Sequence, residues 1–254
     1  MKLRILGSGT SSGVPRIGPD WGACDPADPR NRRTRASVLV EHEGTRILVD
    51  TSPDLREQLL AAEVATVDAV IWTHDHADHC HGIDDLRQVF HALGQPVPGY
   101  ARPGLLAALR SRFGYVFAGR EGYPSVVDGR VLDAGLTIGG ITIGAVDQPH
   151  GRITSLGLRF DAGGKSIGYA TDFNEMTSAM RDMYAGLDIW VLDALRHAPH
   201  PTHPTVAAAL GWIAELMPRR AAFIHMDHSL DYSRLAAELP TGVEPGYDGL
   251  ELVA

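Results

Sequence analysis

Three imidazoles and two carboxylates fall within six consecutive residues, His74-Asp75-His76-Ala77-Asp78-His79. Side chains of these types at this density suit one chemistry above others, because imidazole nitrogens and carboxylate oxygens are the donors that bind divalent metal ions. In an extended or turning backbone His74 and His76 project to the same side and can share one cation. Asp78 and His79, on the turn that follows, can reach a second. A solvated polar loop is the bland alternative, since His and Asp are both frequent at turns. That account suffices for a lone H-x-H, but H-x-H-x-D-H placed directly behind a strand calls for more.

The loop needs rigid support, and residues 67–72 supply it as a short, β-branched-rich buried strand. Further His and Asp residues close other apolar runs: His150 follows residues 141–147, Asp172 ends the run 166–171, and His225 follows 221–224. Each alone is a polar strand terminus; together with residues 74–79 they complete a site with seven protein ligands. Residues 36–41 and 45–50 read as a hairpin around Glu43-Gly44. Its last residue, Asp50, is either a turn aspartate or a carboxylate that orients a ligand imidazole.

The intervening pattern predicts helices covering strands. Ser52 would cap a helix with Pro53 at its first position and Leu55, Leu59, Leu60 and Val64 as its buried stripe. Further helices are expected over 82–93, 104–113, 175–184 and 204–216, and a strand over 187–192. Two prolines break the chain at 94–99. Short runs at 126–132, 136–138, 141–147, 155–160 and 166–171, with glycine turns, predict an antiparallel sheet. Tyr115, Phe117 and Tyr123 are candidates for either a pocket wall or local core. His81 and His91 read as a helix-start residue and a surface or packed residue. Near the N-terminus, Gly7-Ser8-Gly9-Thr10-Ser11-Ser12-Gly13 is either a flexible turn or a loop whose amides approach an anion, with Ser11 as a substrate-binding candidate. Residues 16–35 look irregular, and the basic run 31–35 is a solvated face or holds one phosphate-contacting arginine.

The bounds are simple. The chain has 254 residues, enough for one large α/β-type domain spanning 1–254, and no linker divides it. Its formal charge of −8 offers no general basic field for nucleic acid or anionic membrane. Two cysteines cannot build a disulfide framework, and no signal-like segment opens the chain, so a cytoplasmic location is expected. No apolar run approaches a membrane span.

The H-x-H-x-D-H motif, with His150, Asp172 and His225 after it, resembles the metallo-β-lactamase-fold hydrolases. That resemblance implies an α+β, four-layer αβ/βα sandwich with two divalent metals, manganese or zinc, at the edge where both sheets end. It implies that one metal takes His74, His76 and His150, the other Asp78, His79 and His225, with Asp172 bridging and Asp78 counted as a catalytic residue too. Within the superfamily the chain is similar to the phosphoribosyl 1,2-cyclic phosphate phosphodiesterase-like family, through Leu6-Gly7-Ser8-Gly9-Thr10, Gly13-Val14-Pro15, the metal loop, His203 and residues 243–251. By this likeness His203 is a catalytic, substrate-contacting acid outside the metal shell, with His197 and His200 as rivals. An alkoxide leaving group needs a proton, and an imidazole can give one near neutral pH. The implied reaction is hydrolysis of a small cyclic ribose or nucleotide phosphodiester by a metal-bridging hydroxide.

The phosphonate-pathway members also carry a structural zinc, of whose ligands only Cys24 and His228 are present here. The alternatives are a tRNA 3′-processing-type endonuclease, a glyoxalase-like thioesterase, and a non-catalytic metal- or nucleotide-binding protein. The chain shows no Gly/basic arm for gripping tRNA, which argues against large RNA. Homodimers are common in the resembling family, though no stretch of sequence identifies an interface.

Overall fold

The computed structural model describes residues 1–120, 122–133 and 135–254. The first half builds β1 (Lys2–Gly7), β2 (Ser37–His42), β3 (Thr45–Val49), α1 (Leu55–Ala61), β4 (Ala69–Ile71) and α2 (Ala77–Cys80). It continues through α3 (Leu86–Leu93), β5 (Val97–Ala101), α4 (Pro103–Arg112), α5 (Gly114–Ala118) and β6 (Val127–Val131). The second half builds β7 (Gly135–Ile138), β8 (Ile141–His150), β9 (Ile153–Ala162), β10 (Lys165–Ala170), α6 (Ser178–Tyr184) and β11 (Ile189–Asp193). The chain ends with α7 (Val206–Leu216), β12 (Arg220–Ile224), α8 (Tyr232–Glu238), β13 (Val243–Pro245) and β14 (Glu251–Val253).

Among the described residues the strands form two mixed, seven-stranded sheets, ordered β14-β1-β2-β3-β4-β5-β6 and β13-β12-β11-β10-β9-β8-β7. Strand alternation explains the layering, since successive side chains point to opposite faces. Val38, Val40, Ile47, Val49 and Ile71 meet Ile143, Leu158, Phe160, Ile167 and Val191 between the sheets. The intervening residues Leu39, Leu48, Val70 and Trp72 face outward onto Leu55, Leu86 and Leu106 of the first sheet's helices. On the other side Trp190, Leu192 and Phe223 pack against Met180, Val206 and Leu235. This is the α+β αβ/βα sandwich, and both faces of each central strand are dry.

The topology also places the site. β3, β4 and β5 run parallel to one another, as do β10, β11 and β12, while β8 is antiparallel to β9 and so runs with β10. Their C-terminal ends therefore deliver Asp50, the 74–79 loop, His150, Asp172, Asp193 and His225 to one edge. Asp50, Asp172 and His225 each take a positive φ (65°, 53° and 60°) as the chain leaves its strand. That conformation costs on the order of 1 kcal/mol per residue, and it collects here at the convergence of side chains.

Several local expectations are corrected. α1 starts at Leu55 with Asp54 at its N-cap, so Ser52 and Pro53 form the turn before it; the Ser52 hydroxyl accepts from the Asp54 amide at 3.2 Å. Leu60 is exposed rather than part of the buried stripe. The expected helix 82–93 divides into a 3-10 turn, Ile83–Asp85, and α3. The proline-broken segment 94–99 contributes to β5, because Val97 and Tyr100 bury in the first sheet and that tertiary packing outweighs the proline signal. β6 pairs parallel with β5, so residues 126–132 belong to the first sheet and not to the antiparallel series. His81 follows α2 as its C-cap instead of opening a helix, and its ring lies edge-on to Phe113.

Candidate metal centre

Asp172, buried at 1% exposure, is the hub of the cluster. Its Oδ1 lies 3.8 Å from His74 Nε2, 3.7 Å from His150 Nε2 and 3.5 Å from His225 Nε2, and its Oδ2 lies 3.2 Å from His79 Nε2. Asp78 Oδ2 is 3.3 Å from His79 Nε2 and 3.5 Å from His225 Nε2. The donors fall into one group of His74, His76, His150 and Asp172 and another of Asp78, His79 and His225. His76 completes the first group from the open side, where it is exposed. A third group joins Asp172 and His225 to His203.

These residues fit divalent metal. Ligands around one tetrahedral ion with bonds of about 2.0–2.1 Å stand roughly 3.4 Å apart, the spacing seen here. His74 Nε2, His79 Nε2 and His225 Nε2 are also buried without a hydrogen-bond partner among the described residues. Three orphaned donors converging on one carboxylate would be costly as pure structure and are accounted for by a cation.

Second partners hold the rings in register. His79 Nδ1 donates to Asp50 Oδ2 at 2.7 Å, and Asp50 also accepts from the Thr73 amide and hydroxyl at 2.8 Å each. With the Thr73 proton directed to Asp50, Thr73 Oγ1 accepts from His74 Nδ1 at 3.0 Å. His150 Nδ1 donates to the Thr202 carbonyl at 3.0 Å. The Nδ1–H of His74, His79 and His150 is thus spoken for, which leaves Nε2 as the ligand atom facing the cluster, while Nδ1 of His225 has no hydrogen-bond partner among the described residues.

The electrostatics agree. Burial, and then the neighbouring His79, push the His74 ring well below its usual pKa, so it stays neutral; burial also lowers His150. Burial opposes the charged forms of Asp172 and Asp78, but surrounding imidazoles outweigh it, led by His225 for Asp172 and His79 for Asp78, and both carboxyls lie well below the usual range. Burial works against a charged His225, yet Asp172 and Asp78 outweigh it and raise the ring to about 9. His79 is likewise raised, by Asp172, Asp78 and Asp50 against burial.

His203 reaches the same centre from the loop before α7, with Nε2 3.9 Å from Asp172 Oδ1. Its Nδ1 donates to Asp193 Oδ2 at 2.7 Å. His200 sits behind it, ring centroids 5.1 Å apart, whereas His197 is exposed and lies 3.4 Å from Glu238. Asp193 was missed by sequence reasoning, although it ends the apolar run 189–192 as Asp172 and His225 end theirs. It also accepts the Asp172 amide at 3.2 Å, so one carboxylate holds both the hub's backbone and the His203 ring.

Other candidates fall elsewhere. Ser11 is exposed at a turn and enters none of the hydrogen bonds among the described residues of the cluster, although the Thr10 amide next to it bonds the carbonyl of Met226 at 3.2 Å. Tyr115 and Tyr123 line a separate outer cavity, and Phe117 packs against Trp72. The basic run is not a solvated face throughout: Arg33 is buried, donating to the carbonyls of Asp227 at 3.0 Å and Leu230 at 2.6 Å. Cys24 directs its thiol at the His228 and Leu230 carbonyls, 3.4 Å each, and no metal-type group among the described residues includes it or His228.

Comparisons with known proteins agree with this geometry. The β-lactamase superfamily domain family matches residues 45–226. Over its whole length the chain is 32% identical to the octanoyltransferase of Porphyromonas gingivalis strain W83, and it spans only about half (51%) of that relative. It is 30% identical over 76% of its length to coenzyme PQQ synthesis protein B of Methylorubrum populi, covering 72% of that protein. The solved structure of a diphosphatase from the PhnP family superposes with a TM-score of 0.90 at 38% identity, over 99% of this chain and 96% of that one. With the motif, the sandwich and the family match in agreement, the chain belongs to the metallo-β-lactamase-fold hydrolases.

Proposed function

We propose that this protein is a binuclear-metal-dependent phosphodiesterase acting on a small phosphodiester, a cyclic ribose phosphate or a nucleotide. The observation that carries the reading is His203: an imidazole at the edge of the donor cluster, its Nδ1 tied to buried Asp193 and its Nε2 3.9 Å from Asp172. The likeness to a diphosphatase at 38% identity supports phosphoryl transfer to water.

In this reading His74, His76 and His150 would hold one divalent cation, manganese or zinc, and Asp78, His79 and His225 another, with Asp172 as a ligand available to both. When bound, such cations supply Lewis-acid charge for the phosphoryl oxygens and lower the pKa of water to make a nucleophile. The protein's own residues do the rest. Asp50, through Thr73 and His79, keeps the ligand rings aligned on both sides of the cluster. Asp193 fixes the His203 ring so that Nε2 faces the reacting ester, and its carboxylate balances the charge when the ring carries both protons. His203 then donates the Nε2 proton to the departing alkoxide. An acidic chain can handle an anionic substrate in this way because the positive charge is local.

The test is hydrolysis of ribosyl 1,2-cyclic phosphate and 2′,3′-cyclic nucleotides by manganese- or zinc-loaded protein, with His203→Ala alongside. An acid needed only for a poor leaving group predicts a loss of about 10²–10⁴-fold on these alkyl esters and a much smaller loss on bis-p-nitrophenyl phosphate, at unchanged metal content. Loss of bound metal in the variant would instead make His203 a ligand. Full activity of the variant on every ester would remove the acid role from His203, and hydrolysis of a thioester with no phosphodiester cleaved by the unaltered protein would favour a thioesterase. The diphosphatase likeness favours a second reading, cleavage of a diphosphate, in which the leaving phosphate needs no proton and His203→Ala has little effect.

A further inference from the structure

Beside the cluster lies a cavity of about 540 Å³, walled by Thr73, His74 and Asp75 of the metal loop on one side and by α4 and the start of β9 on the other. Its size falls within the roughly 300–1,000 Å³ usual for small-ligand pockets. The larger cavity of about 740 Å³ between α4, α5 and β6 shares no residue with the cluster. Here, by contrast, His74 serves both as a wall and as a donor aimed at Asp172. His74 thus joins the wall of this space to the donor set.

The chemistry of the wall limits what that extension can be. Leu105, Ala108 and Ile153 make an apolar lining, and Ile153 is 39% exposed. Asp75 and Asp147 contribute carboxylates, more than two-fifths exposed in each case. The cation in the wall, Arg102, is already committed: Nε donates to Asp147 at 2.9 Å, and Nη1 to the carbonyls of Leu132, at 3.0 Å, and Asp133. Arg112 stands 3.9 Å from the Asp75 carboxylate, but it donates to the Asp75 carbonyl and the Cys80 sulfur. The carboxylates of this wall outnumber its guanidinium by two to one, and Arg102 is turned toward Asp147, so the lining favours an uncharged group over a second phosphate or a carboxylate.

We infer that this cavity is the specificity pocket of the enzyme and takes the uncharged half of the substrate, an organic group of nucleoside size that offers hydrogen-bond donors to Asp75 and Asp147. The apolar lining desolvates the body of the group while the carboxylates accept from its N–H or O–H edges. The inference rests on the phosphodiesterase reading and narrows it. Favoured substrates are diesters whose only anionic group is the one being cleaved, with a nucleoside arm ahead of a small alkyl arm and an arm bearing its own anion last.

The experiment compares three esters with one leaving group: methyl p-nitrophenyl phosphate, a nucleoside 5′-(p-nitrophenyl phosphate), and a p-nitrophenyl phosphate whose second arm carries a carboxylate. With zinc-loaded protein the expected order of kcat/KM is nucleoside, methyl, carboxylate, the first exceeding the second by about tenfold or more. In Ala108→Trp, and separately in Ile153→Trp, the nucleoside-to-methyl ratio falls to near one, chiefly through KM. Equal rates for the nucleoside and methyl esters, a ratio that survives both tryptophans, or preference for the anionic arm overturns the inference and leaves the phosphodiesterase reading standing. If none of the three esters is cleaved, the phosphodiesterase reading falls. Equilibrium dialysis of uncharged guanosine then judges the cavity: retention by wild type and loss in both variants supports it, and no retention overturns it.

Discussion

Two aspartates, Asp172 and Asp248, stand at centres where distant segments of the chain meet. Asp248 accepts from the Ser8 amide at 2.9 Å, the Ser8 hydroxyl at 2.8 Å, the Thr34 amide at 2.7 Å and the Thr34 hydroxyl at 2.6 Å. Its four donors come from the protein, and the carboxylate closes β1 and the segment before β2 against the C-terminal turn. Asp172 accepts from the Thr171 hydroxyl at 2.5 Å and is otherwise ringed by imidazoles, of which His74 Nε2, His79 Nε2 and His225 Nε2 have no hydrogen-bond partner among the described residues. The contrast separates a structural knot from a binding site: in one every polar atom is answered within the chain, in the other the unanswered atoms call for something from outside.

Removing each hub should break different things. Asp172→Ala should lower hydrolysis by at least about 10³-fold and reduce bound metal, read by elemental analysis, while circular dichroism shows the fold kept. Retained metal and activity in that variant would erase the distinction.

The next effect sharpens the character of the cluster. The metal-free His225 ring holds its extra proton up to about 9, and metal can bind only the neutral ring. Binding at pH 7 must therefore expel a proton from His225 and another from His79, whose ring the same carboxylates raise, so affinity should rise by roughly tenfold per pH unit for each proton displaced. Asp172 and Asp78, already deprotonated, add nothing to that slope at neutral pH. Titration calorimetry of zinc in buffers of different ionisation enthalpy counts the protons released; none released would contradict the electrostatics described.

Supporting groups should show smaller effects. Thr73→Val removes the hydroxyl between Asp50 and His74, and loss of such a partner typically costs about 10–100-fold in metal affinity. Asp248→Ala should leave metal affinity intact but destabilise the fold by about 2–3 kcal/mol, the cost of stranding buried donors, as a shift in the urea midpoint. If Asp248→Ala lowered metal affinity as strongly as Thr73→Val, the two centres would not be separable.

Much of the architecture was legible locally. The alternation in 36–41 and 45–50 predicted β2 and β3 to within a residue or two, because one face of each strand meets the other sheet and one meets helices. The 74–79 motif and the strand-end positions of His150, Asp172 and His225 pointed to one edge, since a polar residue ending an apolar run must leave the core there. Where local signals misled, partners far away in sequence had intervened. Val97 to Ala101 became a strand because β4 and β6 flank it, and Leu60 faces outward because α1 meets the sheet through Leu55 and Leu59.

The sequence by itself determined the layering and the set of donors, for burial alternation and ligand spacing are properties of neighbouring residues. Only the tertiary structure decided the roles of the remaining polar groups. Asp248 finds its donors 240 and 214 positions away, and Arg33 finds its carbonyl acceptors 194 and 197 positions away. Asp193 becomes the partner of His203 because β11 ends beside β10 and β12. Whether a buried charge is answered depends on contacts that no local pattern encodes, and here that separates the residues that brace the fold from those arranged to bind.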